Sequence, residues 1–243
     1  FPSYIAAAQL SGAKTKFYTL DSKNNFKPDL EVMESKITSK TKAILVNSPS
    51  NPTGAVFHEK IIRGIYDLCE KYDLYLISDE VYSRMIYGES DRFFSPGTLD
   101  GCKHRSIVIN GFSKSFAMTG WRVGVVISPE NISEKITLIS ESIVSCVPGF
   151  VQDAAKEALL SPQSITQKIS STLRSRQLLI CNQLNSVNNI NCKIPQGSIY
   201  VFPSIKRITN SSEKFAFHLL EETGLACVPG VYFGSEGEGY LRF

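Results

Sequence analysis

Four short and almost wholly apolar runs, residues 43–46, 74–77, 106–109 and 123–127, constrain this chain more than any other feature. Runs of this length without polar alternation suit strands covered on both faces, as in parallel sheets. An amphipathic stretch from about Glu59 to Tyr72 separates the first two and completes a β-α-β pattern. Residues 132–147, 148–160 and 163–187 then read as helices. Beyond them the character changes. Residues 190–194, 198–202, 226–228 and 240–243 read as short strands, with a helix near 213–222. The expected fold class is therefore α/β, a mostly parallel sheet sandwiched by helices, followed by part of a smaller α+β domain. We place the boundary near residue 172, giving a large domain over 1–172 and a small one over 173–243.

Composition excludes several function classes. The 26 Lys and Arg against 23 Asp and Glu leave +3 over 243 residues, scattered, so neither nucleic acid nor an anionic membrane surface is an expected partner. No apolar run approaches the roughly 20 residues of a helical membrane span. The six cysteines are far apart, without a CxxC pair, and His58, His104 and His218 are isolated, so no zinc site is expected. Reduced thiols and a cytoplasmic location follow as expectations. The chain opens on Phe1 and stops at Phe243 inside an apolar alternation, so both ends are expected to continue in a longer protein.

Reactive side chains follow the apolar runs. Asn51 lies in Ser-Pro-Ser-Asn-Pro-Thr-Gly (48–54) after the first run, and Asp79 and Tyr82 lie in Ser-Asp-Glu-Val-Tyr (78–82) after the second. Ser113, Lys114 and Arg122 lie in Gly-Phe-Ser-Lys-Ser-Phe-Ala-Met-Thr-Gly-Trp-Arg (111–122) after the third. Open α/β sheets place ligand-binding groups at these C-terminal strand ends. Taken singly, each has a bland reading: a solvated lysine, a strand-end carboxylate, a packing tyrosine, a turn asparagine, a surface salt bridge for Arg242. Together they suit a phosphorylated pyridine. An amine that attacks a carbonyl must lose its proton part of the time, which the neighbours Phe112, Phe116, Ala117 and Met118 favour by burial. A carboxylate at Asp79 would keep a pyridine nitrogen protonated, and Tyr82 would reach a ring oxygen. Ser113 and Arg122 offer donors to a phosphate, and Arg242 offers a fork for a carboxylate.

These motifs, with Phe-Gly-x-x-Gly-x-Gly-Tyr-x-Arg at 233–242, closely resemble the class I/II aminotransferases of fold type I, aspartate- and aromatic-type members above all. The resemblance implies pyridoxal 5'-phosphate as cofactor, with Lys114 as Schiff-base lysine and Asp79 as pyridinium partner. It implies Asn51 and Tyr82 as donors to the ring oxygen, Ser113 and Arg122 as phosphate ligands, and Phe1 as an aromatic ring on the cofactor face. Arg242 would grip the substrate α-carboxylate, with Asn51 beside it. Amino acids and 2-oxo acids would be the substrates, the full-length protein a homodimer, and the Asn51-Pro52 bond cis. Two alternatives share these residues: an eliminating lyase or cyclising synthase, and a noncatalytic sensor domain.

Overall fold

A computed structural model describes residues 1–88 and 92–243. The chain forms two compact units. One comprises Ile37–Pro49 and Val56–Thr172, and the other Phe1–Lys36, Ser50–Ala55 and Leu173–Phe243. The two units therefore do not follow a single cut near residue 172, because two early segments pack with the C-terminal residues. The contacts responsible are specific. Gln196 and Gly197 donate backbone N–H to Gly54 O at 3.0 and 2.9 Å, and the Phe26 ring meets Phe202 and Tyr240 edge-on at 6.1 and 6.0 Å.

In the first unit, strand β1 (Ala43–Asn47) leads into helix α1 (Glu59–Lys71) and strand β2 (Tyr75–Asp79). Strands β3 (Ser106–Gly111) and β4 (Gly124–Ile127) follow, then helices α2 (Glu130–Val144) and α3 (Gly149–Leu160). The sheet order is β1-β2-β3-β4. The first three strands are parallel and β4 is antiparallel to β3. Helix α1 buries Ile62, Ile65, Tyr66 and Cys69, the i, i+3, i+4, i+7 stripe that an amphipathic helix lays on a core. Val46, Leu76 and Val108 carry that core into the sheet. Arg105 donates to Cys69 O and Leu74 O at 2.9 and 3.1 Å, tying the end of α1 to the start of β3.

The fourth apolar run departs from expectation. Val125, Val126 and Ile127 stay 42%, 42% and 53% exposed instead of being covered on both faces. Among the described residues β4 has β3 as its one sheet neighbour. An apolar run records what a strand must bury, and its covering has to come from elsewhere. The neighbouring α2 and α3 share the property, with Ile143 and Phe150 75% and 70% exposed.

Helix α4 (Gln163–Ser186) runs out of this unit into the other, where helix α5 (Ser212–Thr223) and strands β5 (Val228–Pro229) and β6 (Leu241–Arg242) follow. The strand expected over 190–194 is reduced to a single bridge, Asn191 with Ser204, and 198–202 forms no strand; Ser204, just beyond it, also bridges Tyr240. Proline explains the interruption: Pro195 and Pro203 have no N–H to give a ladder, and Ser198 holds a positive φ of 63°. Fragments of ladder survive, since Val201 and Phe243 exchange both backbone hydrogen bonds at 3.0 Å and Leu241 N reaches Pro203 O at 3.1 Å. N-terminal pieces complete the unit: helix Pro2–Leu10, the Leu20–Asp21 and Lys27–Pro28 hairpin, and helix Leu30–Ser35.

Candidate active site

Five of the eight expected residues belong to the first unit and cluster at one edge of its sheet. Asp79 is the last residue of β2 and pairs with Asn47 of β1 on one side and Ile109 of β3 on the other. Its carbonyl accepts from Ser48 N and Asn47 Nδ2, both at 3.3 Å, so the end of β1 holds its backbone. Its carboxylate receives Val81 N at 3.2 Å, which opens the turn that carries buried Tyr82. Lys114 stands in the helical turn Phe112–Ser115, which begins directly after the last residue of β3. The parallel register of β2 and β3 thus brings Asp79 and Lys114 to the same C-terminal edge.

Two side-chain contacts lock the turn after β2 to the end of β3 and the turn that follows it. Asn110 Nδ2 donates to Ser83 Oγ at 3.3 Å. The Arg84 guanidinium lies 4.9 Å from the centre of the Phe116 ring, and that ring stacks on Phe112 at 5.4 Å. Phe112 and Met118 are buried with Ala155 of α3, so the lysine turn rests on an apolar base. Ala117 is exposed and adds nothing to it. Ser113 and Lys114 are half-buried. Arg122 is exposed, with a left-handed φ of 52°, and its Nη1 donates to Thr119 O at 2.9 Å.

Glu80, beside Asp79, is 3% exposed and accepts from Ser95 Oγ at 2.7 Å. Burial, only partly offset by the Ser95 and Ser78 hydroxyls, pushes its carboxyl up to about 7. No local sequence pattern marks Glu80, Arg84 or Asn110 as supports of this edge; their value lies in contacts across the sheet.

The other three expected residues belong to the second unit. Asn51 is buried, and its Oδ1 receives Nη1 of Arg242 at 2.9 Å. The Arg242 guanidinium carbon lies 4.4 Å from the centre of the Tyr200 ring and 5.0 Å from that of Phe233. Two aromatic faces and an amide oxygen therefore fix the fork, leaving its other N–H groups to meet a planar anion. Phe233 opens the 233–242 motif that ends on Arg242, so a signal for it existed; Tyr200 carries none.

The turn holding Asn51 has a cis Asn51-Pro52 bond and a cis Ser48-Pro49 bond before it. Gly54 adopts φ +68°, and a Cβ there would overlap Pro195 and press on Gly197 O, so this position requires glycine. Phe1 precedes helix Pro2–Leu10 with its ring edge-on to Tyr4 at 5.8 Å.

A sheet that is mostly parallel, with a lysine and an aspartate at the C-terminal edges of adjacent strands and helices after them, defines the large-domain architecture of a fold type I transferase. The chain belongs to the aminotransferase class I and II family, whose description matches residues 1–243. An aspartate aminotransferase of Pyrococcus abyssi is 38% identical over 100% of this chain and 62% of its own length. An aromatic-amino-acid aminotransferase of Thermococcus litoralis is 37% identical with the same coverage of 100% and 62%. Among solved structures, the aromatic aminotransferase from Pyrococcus horikoshii superposes with a TM-score of 0.95 at 37% identity, over 100% of this chain and 65% of that one. The chain thus spans about 62% of the length of the curated relatives it matches.

Proposed function

We propose that the protein to which this chain belongs is an aminotransferase that uses pyridoxal 5'-phosphate to move an amino group between an L-amino acid and a 2-oxo acid. The observation that carries this reading is the pairing of Lys114 with Asp79 at one sheet edge in a member of this family. The donor set suits the cofactor: an amine, a carboxylate, a phenol, a serine hydroxyl and a guanidinium. Ser115 Oγ adds a further donor in the lysine turn, buried and without a hydrogen-bond partner among the described residues. Bound there, the cofactor would supply an aldehyde to take up the amino group and a cationic ring to withdraw electrons.

The chain's own groups do the rest. Asp79 would face the ring nitrogen and hold a proton on it. Tyr82 and Asn51 would donate to the ring oxygen, and Ser113 and Arg122 to the phosphate. Phe1 would lie on the ring face. Arg242, oriented by Asn51, Tyr200 and Phe233, would grip the substrate carboxylate. Lys114 would remove the proton from the substrate α-carbon, and repetition with a second 2-oxo acid gives ping-pong turnover.

A homodimer and a cytoplasmic location complete the reading. Exposed apolar side chains on α2 and α3 support the former and six free cysteines the latter. The test is the full-length protein with Lys114→Ala, assayed for transfer of a labelled amino group from amino acid to 2-oxo acid. Loss of transfer with the fold retained is expected; retained turnover would refute the assignment. Release of ammonia from one substrate without an acceptor would instead identify a lyase.

A further inference from the structure

A cavity of about 440 Å³ opens in the second unit, and none of the residues assigned above lines it. Its walls carry Lys23, Lys193, Lys206 and Arg207 and, among the described residues, no aspartate or glutamate. Four formal positive charges meet here in a chain whose net charge is only +3. Such a concentration repels itself unless an anion or salt relieves it.

Two of the four cations are held in place by neutral groups. Lys193 Nζ donates to Ser22 O and, at 2.9 Å, to Asn25 Oδ1. Lys206 Nζ sits 4.8 Å from the centre of the Tyr240 ring. Its stem crosses Gly239, where φ is +80° and any Cβ would overlap the Lys206 chain. Neither arrangement neutralises charge, and both spend ordering entropy in advance of a ligand. The floor is rigid as well, because Tyr240 stacks on Phe202 at 4.8 Å and 6°.

We propose that this cavity is a binding site for a small phosphorylated molecule carrying at least two negative charges. Phosphate concentrates that charge within a few ångströms and offers several acceptor oxygens. Arg207 can meet it with a planar fork and the three lysines as point charges. The volume admits a ligand up to about nucleotide size. Because the rings below are themselves nearly buried, recognition rests on the phosphates more than on stacking.

The test is isothermal titration of the full-length protein loaded with its cofactor, in 0.15 M KCl, with tripolyphosphate, ATP and citrate as separate probes. Loading keeps the assigned phosphate ligands occupied, and the salt suppresses diffuse attraction. Saturable one-to-one binding of tripolyphosphate or ATP is expected, weakened at least tenfold by Lys193→Gln with Arg207→Gln. The same binding should survive Lys60→Gln with Lys135→Gln, two lysines outside the cavity. Tighter binding of ATP than of tripolyphosphate would identify a nucleotide; the reverse would identify a free polyphosphate. The proposal fails if neither probe saturates, if both variant pairs weaken binding equally, or if citrate binds as tightly as the phosphates. Matching thermal melts of the variants would show that the loss is not misfolding.

Discussion

The sheet edge that carries Lys114 and the loop region that carries Arg242 solve the same positioning problem by different means. At the sheet edge, backbone register does the work: Asp79 and Lys114 are delivered by two parallel strands whose hydrogen bonds fix the ends of both. Around Arg242 the strands are two residues long and proline interrupts them. There the guanidinium is aimed by side chains, two aromatic rings and an amide. Sites aimed by register should tolerate loss of a single flanking side chain, whereas sites aimed by side chains should not.

The sharpest break of this comparison removes the amine proposed to react. Lys114→Ala should lower the rate of amino transfer by about 10³-fold or more, read as kcat in the full-length enzyme. Next comes Arg242→Gln. Losing a charge-assisted contact of about 1.5–3 kcal/mol should cost roughly 10- to 150-fold in kcat/KM, mostly through KM. A Tyr200→Leu variant tests the loop region's dependence on packing. With one ring gone from a partly desolvated cation, about 2 kcal/mol is at stake, so roughly 30-fold in kcat/KM is expected, with Tyr200→Phe close to wild type. Arg84→Ala is the matching cut at the sheet edge. Its guanidinium is exposed, so the loss should stay near 0.5–1 kcal/mol, at most about fivefold. Equal losses for Tyr200→Leu and Arg84→Ala would dissolve the distinction.

Stability at the sheet edge has its own signature. The Glu80 carboxyl titrates near 7 in the folded chain and near the ordinary carboxylate value when unfolded, so the native state binds more protons between these values. The Glu80 contribution to stability is therefore full below the unfolded value and is lost as pH rises to about 7, by an amount on the order of 3 kcal/mol. Glu80→Gln should flatten that decline in urea titrations at pH 5 and pH 8. An unchanged slope would mean that Glu80 is solvated in solution.

Much of the architecture was legible in the residues because period and punctuation carry it. Apolar runs gave the strands, and the 3.6-residue stripe gave α1. The polar motifs after each run placed Asp79 and Lys114 at strand ends. What escaped depends on neighbours distant in the chain. An apolar run cannot say which face is covered, so the exposure of β4 was invisible. Arg84 on Phe116, Asn110 on Ser83 and Tyr200 on Arg242 join residues whose local sequence is ordinary. Shortening of the small-unit strands was readable in part, since Pro195 and Pro203 stand in the sequence, yet the positive φ at Ser198 is set by packing.

The close fit of Gly54 against Pro195 and Gly197 has a mechanical corollary. With two N–H groups on one carbonyl and no room for even a methyl, the turn bearing Asn51 and the loop of Gln196 form one stiff part, although the chain reaches them far apart. A push on that loop is a push on the asparagine that steadies Arg242, so substitutions at Pro195 should register as poorer substrate grip long before they register as unfolding.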